Sequence, residues 1–209
     1  SNTTSIKYGT LNYLWNFGDA NSNNTKNATH SYSKSGNFNV KLNAFSDLGC
    51  TDSLIKNVLV TPIPVVDFSI NDAGQCFKSQ SFVFTNKSTI SSGTIKSKWY
   101  FGDSDSLAAI SAVHVYKALG NYKVKNIITT NYGCKDSLTR NIWVNPNAKP
   151  SFTINDSDQC INNQNFTFTN SSTVSPGQIV GLLWNLGNGK KSTQQIAQGN
   201  YQASGIYTC

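Results

Sequence analysis

The sequence predicts an all-β protein made of small antiparallel sandwiches in tandem, and three observations carry that expectation. The pentad WNFGD at 15–19 returns as WYFGD at 99–103 and as WNLGN at 184–188, so its tryptophans stand 84 and then 85 residues apart. His30 and His114, Cys50 and Cys134, Cys76 and Cys160, Phe68 and Phe152, and Pro62 and Pro146 keep the step of 84. Apolar residues alternate with polar ones, the period of a half-buried strand. Short alternating runs are separated by Gly, Asn, Ser and Asp, which is turn chemistry. A unit of this length can enclose a modest core of its own, unlike a solenoid repeat of roughly 20 to 50 residues.

Taken in chain order, the first strand carries Trp15 and Phe17 two residues apart, so both face inward as core anchors. Gly18 and Asp19 then leave the strand in a tight turn, where the carboxylate can accept turn amides. His30 and Tyr32, ahead of a Gly36 turn, read as a corner whose polar tips are satisfied by backbone. In GNFNVKLNAF, Phe38, Val40 and Leu42 share one face while Asn39, Lys41 and Asn43 share the other. The second unit repeats this with a short strand ending at Asn86, then Trp99, Gly102 and Asp103, the corner His114, Tyr116 and Gly120, and a strand turning Tyr122, Val124 and the Ile127 region inward. The third offers a strand ending at Asn170, then Trp184 and Gly187. Nothing of helical period exceeds one or two turns.

Aligning the units by tryptophan divides the chain into 1–61, incomplete at its N-terminal side, 62–145, complete, and 146–209, divergent and incomplete at its C-terminal side. The joints VTPIPV and VNPNAKP are short and stiffened by the fixed φ of proline, so neighbouring units are expected nearly end to end. No apolar run approaches the roughly 18 to 20 residues of a membrane span and no secretory leader is present, so an internal segment of a mature protein, without membrane insertion, is expected.

Charged residues make up only 13 % of the chain, and the net charge is +7. A polyanionic partner would need a clustered basic footprint, whereas the lysines stand singly, as in KSKW and KVKN, so nucleic acid is not expected. One His and one Asp per unit supply neither a nucleophile with its base nor the three or four ligands a metal needs, so no catalytic site is expected. Asp72, Asp156 and Asp158, in DFSINDAG and SFTINDSDQ, lie near loops and are the candidates for calcium, without the loop spacing of a dedicated site. Five cysteines at recurring positions point to an oxidising, extracellular setting, and the absence of a CxxC pair argues against metal ligation.

WNFGD followed by HSYSKSGNFNVKL, and WYFGD followed by HVYKALGNYKVKN, resemble the signature of the PKD (polycystic kidney disease) domain, an immunoglobulin-like β-sandwich. The resemblance covers the chain and implies structural roles for Trp15, Gly18, Asp19, His30, Tyr32 and Gly36, for Trp99, Gly102, Asp103, His114, Tyr116 and Gly120, and for Trp184 and Gly187. The third unit departs from it, with Asn188 at the Asp position, Gly199 at the His position and Cys209 at an inward valine position. Cys209 is expected to be a small buried residue, an exposed thiol being the other reading.

In an immunoglobulin-like unit the loop carrying Cys76 and the hairpin carrying Cys134 lie at opposite ends, so bonds between units are expected rather than a Cys76–Cys134 bond within one. Cys50 and Cys160 are the equivalent candidates. The arrays with paired GC and QC motifs are similar to those of very large surface proteins of Bacteroidota exported by type IX secretion. That likeness implies O-glycosylation at the DSL triplets, hence at Ser53, Ser106 and Ser137, where a plain strand start after a turn is the other reading. It further implies an extracellular, non-catalytic stalk of an adhesin used in attachment or gliding, with neighbouring repeats, surface polysaccharide or other cell-surface proteins as partners. The alternatives are a spacer in a secreted polysaccharide- or protein-degrading enzyme and a direct glycan-binding module, for which Trp143 and Tyr100 are the aromatic candidates.

Overall fold

The computed structural model describes residues 2–209 and is all β apart from one 3₁₀ turn at Phe77–Ser79. Among the described residues no helix is long and apolar enough to cross a membrane. The chain divides into two compact units, one of the residues up to Ser69 with Phe84–Ala112 and Val124–Arg140, the other of Ile70–Val83, Val113–Lys123 and Asn141–Cys209.

The N-terminal sheet holds β1 (Leu11–Asn16), β2 (Ser22–Asn23), β3 (Gly36–Ser46) and β4 (Thr51–Val60) in the order β2-β1-β3-β4, all antiparallel. The alternation in β3 sets its register, with Leu42 opposite Trp15 and both Leu42 and Ala44 buried. The β3–β4 hairpin closes through Ser46 N–H donating to Cys50 C=O at 2.8 Å, with Gly49 at φ +82°. Trp15 stays half-buried in an open concavity that it lines with Leu42, Ala44, Leu54 and Val58.

The middle of the chain forms β5 (Phe68–Ile70), β6 (Gly74–Cys76), β7 (Phe82–Asn86), β8 (Ile95–Tyr100), β9 (Ser106–Leu107), β10 (Ala112–His114), β11 (Gly120–Thr130) and β12 (Lys135–Asn145). They make a three-stranded sheet β10-β7-β5 and a five-stranded sheet β6-β12-β11-β8-β9. The two sheets meet where Trp99 of β8, fully buried, stands edge-on to Phe68 of β5 at 5.0 Å and tilts against Phe84 of β7 at 5.7 Å. Burial of three such rings stabilises by about 2 kcal/mol or more each. The pairing of β6 with β12 is parallel, Cys76 standing opposite Asn145, and nothing in the alternation announces it.

One strand differs from its expected reading. In β11 the inward face is Val124, Asn126, Ile128 and Thr130, all buried, while Ile127 is only half-buried and lies on the other face. Period two counted from Val124 selects 126 and 128, so the strand turns a polar Asn126 into the core and leaves Ile127 outside. Ser97 Oγ donates to Asn126 Oδ1 at 2.6 Å, which satisfies the carbonyl, whereas Asn126 Nδ2 is buried without a hydrogen-bond partner.

The C-terminal part forms β13 (Phe152–Ile154), β14 (Phe166–Asn170), β15 (Trp184–Asn185), β16 (Lys191–Ser192) and β17 (Ile196–Gly199), in sheets β13-β14-β17 and β15-β16. Its core is Phe168, Trp184, Leu186 and Ala197, with Phe166 packed against it. Trp184 meets Phe152 edge-on at 5.4 Å, the counterpart of the Trp99–Phe68 contact. The step of 84 recurs in the elements themselves, from β3 to β11, from β5 to β13, from β7 to β14, and from the bridge Val65–Thr89 to the bridge Lys149–Thr173.

Candidate functional site

The thrice-written pentad is a closed mechanical unit. Each tryptophan indole N–H donates to the backbone carbonyl ten residues on, Trp15 to Thr25 at 3.1 Å, Trp99 to Ala109 at 3.0 Å and Trp184 to Gln194 at 2.8 Å. Gly18, Gly102 and Gly187 have φ of +81°, +87° and +73°, which L side chains adopt at a cost. A Cβ on Gly18 would stand 2.9 Å from Asn39 O and 3.0 Å from Asn39 N, both backbone atoms of β3. Glycine is therefore required twice over, by φ and by close approach.

Asp19 accepts from Asn21 N–H at 3.1 Å, as its place in the turn predicts. Its other oxygen lies 2.7 Å from His30 Nε2, so the histidine tip is met by a carboxylate and not by the backbone expected from sequence. Desolvation pushes the Asp19 carboxyl up, yet the hydrogen bonds from His30 and Asn21 outweigh it and hold the group below its ordinary value. The His30 ring stacks on Phe17 at 4.2 Å and meets Tyr32 edge-on. Tyr32 Oη donates to Phe17 C=O at 2.9 Å, and Tyr201 Oη to Leu186 C=O at 2.7 Å, so the corner does end on backbone. Tyr32 and Tyr116 each stack on the aromatic six residues on, and Tyr201 tilts against Tyr207, at 4.0 to 4.1 Å. Burial, with the Cys209 contact and Tyr207 behind it, pushes the Tyr201 phenol up to about 12.

The divergent third copy keeps the same connections with other atoms. Asn188 Oδ1 accepts from Lys190 N–H at 3.0 Å, and its Nδ2 donates to Asn200 C=O at 3.0 Å, beside the position where the other copies carry histidine. A role that an amide performs as well as a carboxylate–imidazole pair is one of tying the turn to the next strand. Cys209 is exposed, against the expectation of burial, because residues 201–209 form no strand that would turn it inward, although its Sγ lies 3.4 Å from the Tyr201 hydroxyl.

Two glutamines escaped the sequence reading. Gln80 Nε2 donates to Tyr116 C=O at 2.8 Å while Tyr116 N–H donates to Gln80 Oε1 at 3.0 Å; Gln164 and Tyr201 repeat this two-way pairing. The recurrence of Gln80 and Gln164 at 84 residues was the available signal. Gln75 and Gln159, which precede Cys76 and Cys160, likewise knit their loops, each accepting the amide of Ser81 or Asn165 at 2.7 Å.

The remaining candidates sit at the surface. Cys50, Cys76 and Cys160 are exposed and Cys134 is half-buried, all as free thiols. Ser53 and Ser137 lie near the starts of β4 and β12 and Ser106 in β9, all three exposed, on strands that begin after turns. Asp72 and Asp156 each spend one carboxylate oxygen on a turn amide, that of Gly74 or Asp158. Trp143 and Tyr100 are exposed, and the Lys98 ammonium lies 5.0 Å from the Tyr100 ring centroid.

The model of the PKD domain family matches this chain twice in succession, over residues 1–62 and 61–144. The chain belongs to the PKD domain family. Its fold is accordingly that of tandem immunoglobulin-like PKD sandwiches, as the Trp–Phe contacts between sheets already indicate. Collagenase ColA of Clostridium perfringens (strain 13 / Type A) is 33 % identical over 97 residues, which is 43 % of this chain and 8 % of that protein. Among solved structures, the PKD1 domain of Vibrio anguillarum Epp is 23 % identical at a TM-score of 0.36, covering 41 % of this chain and 96 % of that one. The PKD1 domain of the Vibrio cholerae metalloprotease PrtV is 22 % identical at a TM-score of 0.33, covering 41 % and 98 %.

Proposed function

We propose that this chain is an extracellular, non-catalytic segment of a repeat array, with boundaries near residues 61 and 145, serving as the stalk of a large secreted or cell-surface adhesin. One observation carries the reading: in the first and third copies the polar groups of the signature are turned inward onto turn amides, strand carbonyls and one another, so their chemistry serves to hold the copy's own shape. A module of that kind contributes length and stiffness. The fitting test is to determine the intact native protein by mass and complete sequence. Many further copies of the 84-residue unit together with loss of surface attachment on deletion support the stalk, and a catalytic domain flanked by only these repeats refutes it.

The second reading is a spacer within a secreted polysaccharide- or protein-degrading enzyme, and the collagenase likeness favours it. The same mass and sequence experiment separates the two. Modification of Ser53, Ser106 and Ser137 belongs to the stalk reading, since exposed hydroxyls at strand starts are open to a glycosyltransferase. Intact mass before and after chemical deglycosylation reads it directly, and an unchanged mass removes it. Direct glycan binding would use Trp143 or Tyr100, and loss of retention on a polysaccharide column by Trp143→Ala is its test.

A further inference from the structure

We infer that the cysteines form a latch across each joint of the array, joining the QC cysteine of one repeat to the GC cysteine of the next. The inference rests on the tandem-repeat part of the proposed reading and is indifferent to what the array carries.

Two separate contacts converge on one position. At the first joint, Thr61, the residue after β4, places its Oγ1 3.1 Å from the Sγ of Cys134, which belongs to the following repeat. At the second joint, Asn145, the last residue of β12, stands directly opposite Cys76 of its own repeat, 62–145, in the parallel β6–β12 pair. Thr61 and Asn145 are 84 residues apart and are therefore the same position of the repeat. By the repeat, one and the same joint position is approached by a QC cysteine, as at Asn145, and by a GC cysteine, as at Thr61. Cys76 stands one strand spacing, about 4.8 Å, from Asn145, and a disulfide needs Cα atoms within about 7 Å, so the latch requires the GC cysteine to approach the joint residue on the side that β6 occupies.

Both thiols are presented by rigid local structure. The loop before Cys76 is stitched by Gln75 to Asn71, Asp72 and Ser81, and Lys78 N–H donates to Asn147 Oδ1 at 2.8 Å, fastening that loop to the joint. Cys134 sits at a hairpin closed by Thr130 N–H donating to Cys134 C=O at 2.9 Å, with Cys134 N–H returning to Thr130 Oγ1 at 3.1 Å. The alternative bond, Cys76 with Cys134 of the same repeat, is ruled out by β12. Cys134 precedes its first residue and Cys76 pairs with its last, and a strand of that length runs about 33 Å against the ~7 Å that a disulfide tolerates. Within residues 1–209 the GC position that would meet Cys76 falls beyond Cys209, so the latch closes in a longer array.

Chemically, two thiols lose two protons and two electrons to form one S–S bond. The electrons pass to a disulfide oxidant, either a thiol–disulfide oxidoreductase or oxidised glutathione, which leaves as two thiols.

The experiment inserts a second copy of residues 62–145 after Asn145 of the full chain, with Lys135→Arg in the second copy as a mass label, and oxidises it in a glutathione buffer. The expected product is a peptide joining Cys76 of the first copy to Cys134 of the second; a bond within one copy, or thiols that all remain alkylatable, overturns the proposal. A second measurement avoids the insertion: Thr61→Cys and Asn145→Cys, each made in the 209-residue chain, should oxidise onto Cys134 and Cys76 respectively, lowering the count of reactive thiols from six to four. Failure of either to close overturns the convergence. Neither outcome bears on stalk against spacer.

Discussion

Within the pentad turn, two residues apart, exchanging one methyl should act in opposite directions. Gly18→Ala puts a Cβ at φ +81° and 2.9 Å from Asn39 O, a backbone atom that cannot withdraw because Asn39 is paired to Asn57 in the β3–β4 ladder. The left-handed backbone costs an L residue about 1–2 kcal/mol, and forcing a methyl against fixed backbone adds roughly 1–3 kcal/mol. Against this, alanine restrains the unfolded chain by about 0.4–1 kcal/mol, so the net loss is about 2–4 kcal/mol. Ala20 already stands at φ +70°, where the third copy has Gly189. Ala20→Gly relieves the same left-handed cost at the same entropic disadvantage and should gain about 0.5–1 kcal/mol. Hydrogen exchange of β1 and β3 amides, followed by mass spectrometry, reads both: about thirty-fold or more faster for Gly18→Ala, and two- to five-fold slower for Ala20→Gly. Equal and same-signed changes at the two positions would refute the account of the turn.

The Asp19 carboxyl is depressed in the folded state, so its contribution is present above the unfolded value near 4 and is lost as pH falls through the folded one. Acid unfolding followed below pH 4 should therefore be shallower in Asp19→Asn than in the parent. The Tyr201 phenol, raised to about 12, behaves conversely: its contribution is full below pH 10 and fades as pH rises toward 12, and ultraviolet titration should lose this late-ionising phenol in Tyr201→Phe. That variant also leaves Leu186 C=O without its donor, at about 1–2 kcal/mol by urea unfolding. Asn126→Leu combined with Ser97→Ala removes a buried amide nitrogen that has no partner and should raise the urea midpoint, whereas Asn126→Leu alone, which strands the Ser97 hydroxyl, should gain less.

The strands, their inward faces and the tandem arrangement were legible because each repeat writes the same alternation around the same tryptophan, and three copies make a weak pattern strong. The Gly18 and Tyr32 roles followed from turn chemistry and from a hydroxyl needing a partner. What sequence did not disclose was pairing between segments distant along the chain. The parallel β6–β12 contact, the Gln80–Tyr116 exchange and the meeting of His30 with Asp19 all depend on which surfaces the fold brings together. Ile127 departs from expectation for a different reason: hydrophobicity favours it for the core, while the strict two-residue period of the strand selects its polar neighbour Asn126.

Thr25, Ala109 and Gln194, the acceptors of the three indole N–H groups, share no side-chain chemistry. The clasp therefore reads a count of ten residues and is blind to spelling. Beyond its turn, at 21–24, 105–108 and 190–193, the excursion varies in composition while its span is held fixed, which makes that stretch the natural place to write new surface without disturbing the frame. Lengthening that stretch by a single residue would disturb the indole clasp, which substitutions within it leave alone.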